Sequence, residues 1–219
     1  YKIGNGITHY EALIRMIDDK EQLIPPGVFI PVAERFGLMS QIDKWVIKNT
    51  IENLKTHPYI KIFINISGIS LGDKALLNFI ETSIKESKID PARIGFEITE
   101  TTAIADLIQS ENWIKKLKSI GCRFALDDFG IGFSSFSYLN ALPIDYLKID
   151  GSFVKDLDTN PTQKALIQAM NAVAHVLGKE TIAEFVENEA ILNILNELQV
   201  DHGQGYYLGK PGLLEKKED

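Results

Sequence analysis

The chain has one cysteine among its 219 residues, so no internal disulfide holds it together. Cys122 precedes Phe124-Ala125-Leu126 in a run that reads as a buried strand, which fits an inert core thiol. Long apolar runs are missing as well. Stretches such as residues 60–66 and 123–126 are a few residues long, against the ~20 needed to span a bilayer. Residues from Tyr1 onward show neither the basic nor the apolar region of a signal peptide. The expected location of this domain is the cytoplasm, with any membrane anchor carried elsewhere in a longer protein. There is no excess of basic charge: 23 Lys and Arg face 30 Asp and Glu, for a net charge of −7. That balance argues against sequence-independent binding of a long nucleic acid, which needs clustered cations to neutralise phosphates. His9, His57, His175 and His202 lack the mutual spacing of zinc ligands, and Ser134-Ser135 has no positioned histidine partner for a nucleophilic triad. No Gly/Ser- or Pro-rich linker divides the chain. One domain over residues 1–212 is expected, followed by a charged tail over 213–219.

What is present is ordinary for a globular protein: 45% hydrophobic and 24% charged residues, enough for a sizeable core. Beyond residue 40, short β-like runs alternate with longer segments of helical spacing, the pattern of repeated βα units around a parallel sheet. Strands are predicted over 7–14, 60–66, 94–99, 123–128, 145–149, 180–184 and 203–207, with Tyr1–Ile3 as the edge of an eighth. Helices are predicted near 40–56, 73–87, 108–120, 161–177 and 188–198, with apolar residues at three- and four-residue spacing such as Trp45, Ile47, Ile51 and Leu54. Asp90-Pro91, Gly121 and Leu142-Pro143 punctuate the connections.

In a βα barrel the active site lies at the C-terminal ends of the strands, and those ends are strongly polar here. They carry Glu11 and Arg15, Asn65 and Ser67, Glu97 with Thr99-Glu100, Asp127-Asp128, Lys148 and Asp150, Glu184 with Glu187 beyond it, and Gln204. Taken singly, Glu11 and Glu184 read as solvated charges, Asp127-Asp128 as a turn, Lys148 as a surface cation and Arg15 as a partner of Glu11 or Asp18. Carboxylates inside apolar strands are costly unless paired or metal-bound, and their recurrence on strand after strand favours one shared cause. A cluster of hard oxygen ligands suits Mg2+ or Mn2+, and adjacent Asp127 and Asp128 would let one carboxylate bridge two ions about 4 Å apart. Gly130-Ile131-Gly132 reads as a mobile loop in preference to a nucleotide cradle.

These residues resemble the signature of the EAL family, whose motif stands here as Glu11-Ala12-Leu13. The resemblance runs from about Tyr10 to Pro211. It includes Phe29-Ile30-Pro31-Val32-Ala33-Glu34, Asn65-Ile66-Ser67, Glu97-Ile98-Thr99-Glu100, Asp127-Asp128-Phe129-Gly130, Lys148-Ile149-Asp150, Ala183-Glu184-Phe185-Val186-Glu187 and Gln204-Gly205-Tyr206. It implies an α/β fold, a modified TIM (βα)8 barrel with one antiparallel strand, and metal-dependent hydrolysis of cyclic di-GMP to linear pGpG. It further implies that Glu11, Asn65, Glu97 and Asp127 hold a first ion, and that Asp127, Asp128 and Glu184 hold a second. Lys148 and Glu184 would be catalytic, Arg15 would meet substrate phosphate and Asp150 a guanine edge. Glu187 and Gln204 would support the site, and Glu100 would tie down the loop after Asp128. A homodimer is also implied, with Phe133, Phe136 and Tyr138 as apolar candidates for its surface, as are flanking sensory or GGDEF-type domains in a longer protein.

The chain departs from the family pattern at Ile131 and Phe133, which replace a usual Thr and Tyr in the loop 129–137. It also departs at Phe185 for Gly, Met16 for Trp and Gly151 for Arg, and no opening Gln-Pro-Ile segment precedes Gly4. No metal ligand is lost. A receptor that binds cyclic di-GMP without cleaving it is the alternative reading.

Overall fold

The computed structural model describes residues 1–3, 9–132 and 136–214. Its elements are β1 (Tyr10–Ala12), β2 (Met16–Ile17), β3 (Leu23–Ile24), α1 (Pro26–Arg35), α2 (Met39–Thr56), β4 (Ile62–Asn65), α3 (Lys74–Ser87), β5 (Ile94–Thr99), α4 (Glu100–Ala105), α5 (Leu107–Ser119), β6 (Arg123–Phe129), β7 (Tyr146–Ile149), α6 (Gly151–Val154), α7 (Pro161–Val176), β8 (Glu180–Ala183), α8 (Glu189–Glu197) and β9 (His202–Gly203). Seven strands form one sheet in the order β1-β4-β5-β6-β7-β8-β9. Every pairing in it is parallel.

The sheet curls until its two edges approach. The ring of His9, just ahead of β1, lies 5.4 Å from that of His202 on β9. Against β9 the N-terminal segment runs antiparallel: Lys2 bridges His202, and the Gly203 amide donates to the Tyr1 carbonyl at 2.8 Å. The result is an α/β half-barrel of parallel strands with one antiparallel edge: the parallel sheet is what the alternating βα pattern predicts, and the antiparallel strand is what the family resemblance implies.

Local chemistry accounts for the elements. In β5 all residues from Ile94 to Ile98 are buried, as expected of a strand covered on both faces. Gly95 lets the Phe63 ring lie across it, since a Cβ there would stand 2.3 Å from the ring. Helix α3 buries Leu76, Ile80 and Ile84 on one stripe, and Asp73 caps it by accepting from the amides of Ala75 at 2.7 Å and Leu76 at 3.2 Å. Phe96, Phe124 and Trp113 pack between the sheet and α5, with ring centroids 5.7 to 6.2 Å apart.

The structure shortens two predicted strands. Over 7–14 only Tyr10–Ala12 pairs, and the chain then leaves the sheet for the antiparallel β2–β3 hairpin; Gly4–Thr8 lie outside the described residues. Over 203–207 the strand ends at Gly203, because the Gly205 carbonyl accepts from Leu208 and Gly209 at 3.0 Å and closes a turn. Three α-helices were not predicted, α1, α4 and α6, and α1 with the β2–β3 hairpin beside it in the chain is the largest addition. Pro26 begins α1, where a missing amide costs nothing.

Candidate metal centre and active site

Strand register assembles the site. Asn65 on β4 lies opposite Glu97 on β5, and Thr99 lies opposite Asp127 on β6. In a regular strand Asp127 and Asp128 would face opposite sides of the sheet. Here the β6–β7 register shifts between Leu126 and Phe129, and Asp128 is left-handed with φ 57°. This irregularity re-aims the pair, so that one oxygen each of Asp127, Asp128 and Glu184 lie within 4.8 Å of one another. Aspartate tolerates that backbone better than most side chains.

Lys148 stands in the middle, 1% exposed. Its Nζ lies 2.8 Å from Glu97, 2.9 Å from Glu184, 3.0 Å from Asp127 and 3.7 Å from Glu11. Glu11 accepts from Asn65 Nδ2 at 2.5 Å and Gln204 Nε2 at 2.7 Å, which ties the first, second and last strands of the sheet together. One ammonium does not neutralise four carboxylates. Burial, opposed in part by Lys148, raises the Glu97 carboxyl to about 8 and that of Glu184 to about 7. Asp128 is raised too, by burial and then by the charges of Asp127 and Asp150. Lys148 is pushed well above its ordinary value; burial opposes this, but the surrounding carboxylates, Glu97 foremost, outweigh it.

This donor set fits a hard divalent cation. All the ligand candidates are oxygens, and Asp127 Oδ1 is buried with no hydrogen bond beyond its 3.0 Å ion pair with Lys148 Nζ. The carboxylates of Asp127, Asp128 and Glu184 therefore form a cluster able to coordinate a divalent metal.

A pH dependence follows for the metal-free chain. The folded protein keeps protons on Glu97 and Glu184 up to about 8 and about 7, whereas the unfolded chain loses them near 4.5. The unfolded state binds fewer protons in that window, so stability falls as pH rises from 4.5 through these values. Melting temperatures in chelator should decline between roughly pH 5 and pH 8, and the gain on adding Mg2+ should grow over the same range as the cation displaces protons. A flat profile in chelator with a pH-independent gain would contradict the arrangement.

The remaining predicted residues occupy distinct places. Glu100 is buried at the start of α4, where it accepts from the Gly130 amide at 3.0 Å and from the Tyr138 hydroxyl. It thus holds both ends of the segment after β6. Tyr138 is buried, which removes it from the surface where a dimer contact was expected, while Phe136 is exposed and Phe133 lies outside the described residues. Asp150 caps α6 by accepting from the Ser152 amide at 2.8 Å. Arg15 is exposed and donates to the Ile14 carbonyl at 2.9 Å, so it is not the partner of Glu11. It lines a cavity of about 220 Å³ with Met16, Phe29, Ile42 and Trp45. Glu187 is exposed, and no bond joins it to the cluster among the described residues.

Asp43 was missed. It is 3% exposed on α2 and accepts from Ser67 Oγ at 3.0 Å, bracing the turn that follows Asn65. Its signal was a carboxylate on the apolar stripe that continues as Ile47, Thr50, Ile51 and Leu54.

A parallel half-barrel whose strand ends gather oxygen donors around a buried lysine defines a class of barrel proteins with an acidic cluster able to coordinate a divalent metal. Comparison with known proteins makes this specific: the EAL domain model matches residues 3–211, and the chain belongs to that family. It is 40% identical to cyclic di-GMP phosphodiesterase PdeB of Shewanella oneidensis, over 92% of this chain and 24% of that protein. It is 34% identical to cyclic di-GMP phosphodiesterase PdeF of Escherichia coli, over 94% and 28%. The chain thus spans about a quarter of the length of these curated relatives. Among solved structures, the FimX EAL domain from Pseudomonas aeruginosa bound to c-di-GMP matches with a TM-score of 0.90 and 33% identity, covering 95% of this chain and 86% of that one. The PaMucR phosphodiesterase in its c-di-GMP complex matches with 0.86 and 32%, covering 92% and 83%.

Proposed function

We propose that this domain hydrolyses cyclic di-GMP to linear 5'-pGpG with the help of two Mg2+ or Mn2+ ions. The observation that carries the reading is the carboxylate cluster around Lys148 on an EAL half-barrel, in which oxygens of Asp127, Asp128 and Glu184 lie within 4.8 Å of one another. Glu11, Asn65, Glu97 and Asp127 would hold one ion, and Asp127, Asp128 and Glu184 the other. Bound there, the ions supply Lewis acidity toward the phosphodiester and toward water. Hydrolysis adds water oxygen to phosphorus and breaks one P–O3' bond, leaving a 5'-phosphate and a free 3'-hydroxyl.

The chain's own residues do the rest. Glu184 is the base that takes a proton from the attacking water, and its placement 2.9 Å from Lys148 keeps the carboxylate oriented. Lys148, buried and permanently charged, stabilises the negative charge that develops on the attacking oxygen. Arg15 meets a substrate phosphate and Asp150 a guanine edge. Gln204 keeps Glu11 in orientation through its 2.7 Å hydrogen bond, Glu187 flanks the site, and Glu100 fixes the following loop.

By the same family resemblance the domain acts as a homodimer in the cytoplasm, within a longer protein that carries sensory or GGDEF-type domains. Among the described residues no helix is long and apolar enough to cross a membrane. Incubation with cyclic di-GMP and Mg2+, with separation of products, should yield pGpG, and omission of metal or substitution by Ca2+ should stop it. Tight binding without any pGpG at high protein concentration would establish the receptor reading instead.

A further inference from the structure

Glu11 belongs to the proposed cation site, yet it stands on an edge strand. Among the described residues β1 pairs only with β4, and β9 only with β8 and the bridge at Lys2, so no backbone ladder joins β1 to β9. Side chains join them instead. At the level of the site, Gln204 Nε2 donates to Glu11 at 2.7 Å. Two residues earlier on each side, the rings of His9 and His202 lie with centroids 5.4 Å apart. Side chains two apart along a strand share a face, so the ring contact lies one layer beneath the hydrogen bond.

The pattern extends round the sheet. Phe63, Gly95 and Tyr146 stand two residues ahead of Asn65, Glu97 and Lys148 on β4, β5 and β7. The polar layer therefore rests on a layer of rings. His9 meets Phe63 at 5.0 Å and Tyr146 at 5.8 Å between centroids, and Tyr146 meets His202 at 5.7 Å. His202 is 3% exposed, and its Nε2 lies 2.6 Å from Glu180 Oε2, a carboxylate acceptor that leaves this nitrogen as the donor. Nδ1 is buried with no hydrogen bond among the described residues, so Glu180 is the polar contact that directs the ring. Close-packed rings pass on a displacement instead of absorbing it. Truncating one lets β1 and β9 shift relative to each other just below the hydrogen bond between Gln204 and Glu11.

We propose that His202, with His9 against it, is a positioning residue: the ring pair fixes the seam between β1 and β9 so that Gln204 holds Glu11 in line for the cation. This rests on the metal-dependent reading above. The measurement is the calorimetric Kd for Mg2+, with steady-state rates beside it. H202A and H9A should weaken Mg2+ binding by roughly tenfold, as when a group that orients a metal ligand is lost. At saturating Mg2+ their KM for cyclic di-GMP should stay within about twofold of the parent, since no substrate contact is removed. H202F keeps a ring and should bind Mg2+ as the parent does. In a Q204A background H202A should add nothing, because the bond through which it acts is already gone.

A parent domain that binds no divalent ion would remove the reading on which the proposal stands, and the proposal with it. If the parent binds Mg2+ while H202A and H9A keep its Kd, the positioning role alone is overturned. It is overturned too if H202A costs as much in Q204A as in the parent, the mark of general loosening, or if H202F binds as poorly as H202A. The H9A and Q204A pair supplies the same cycle should H202A fail to fold.

Discussion

Replacing Lys148 with methionine is expected to lower turnover by about a hundred- to a thousandfold, as when one electrostatic stabiliser of a transition state is removed. The same change should lower the metal-free melting temperature, because Glu97, Glu184, Asp127 and Glu11 lose an ammonium that lies within 4 Å of them all. Breaking a buried ion pair from one side costs about 3–5 kcal/mol, which for a chain of this length corresponds to a shift on the order of 10 °C. The carboxylates limit the loss by taking up protons, so the destabilisation should deepen as pH rises and Mg2+ should recover part of it. Steady-state rates and melting curves in chelator and in Mg2+ check both effects. Parent-like turnover with unchanged metal-free stability would show that Lys148 neither compensates the cluster nor takes part in the reaction.

Glu11→Ala should abolish turnover, with a loss of about a thousandfold or more, if the proposed role of Glu11 as a cation ligand holds. Glu11 sits on the short edge strand β1 and accepts from Asn65 and Gln204, so its removal also frees the two amides that span the strand ends. The fold should survive, since the core is centred on β4 to β8 and their covering helices. Circular dichroism should stay parent-like while the Mg2+-dependent rise in melting temperature shrinks. Near-normal pGpG formation in a well-folded variant would exclude Glu11 as a ligand. The two variants separate the roles: loss of Glu11 weakens metal-dependent stabilisation, whereas loss of Lys148 leaves the oxygen donors in place and removes their counter-charge.

Much of this architecture was legible in the chain. The helices predicted near 73–87 and 161–177 differ from α3 and α7 by a residue at an end, because Asp73 and Asn160 cap them and their apolar stripes are regular. Strands β5 and β7 were equally plain, being short apolar runs bounded by Asp90-Pro91 and Leu142-Pro143. The lobe of α1 and the β2–β3 hairpin was not. Its strands are two residues long, too short for any period to register, and α1 carries an internal Pro31. The end of β9 was overrun because Gly205 turns the chain against Val186, a contact made across strands.

The sequence by itself determined that carboxylates would lie at one end of a parallel strand set, since strand order and apolar spacing are local properties that the chain displays directly. It also carried the family resemblance, because ordered motifs survive as text. Tertiary structure alone decided how the charges meet. Lys148 reads in isolation as a surface cation, yet it is buried among four carboxylates from four strands. Asp127 and Asp128 face one cluster only because β6 shifts register and Asp128 turns left-handed. Tyr138, expected on a surface, is drawn inward by Glu100. Proton affinity, ion pairing and side-chain direction depend on distances between strands far apart in the chain, and those distances exist only once the sheet has curled.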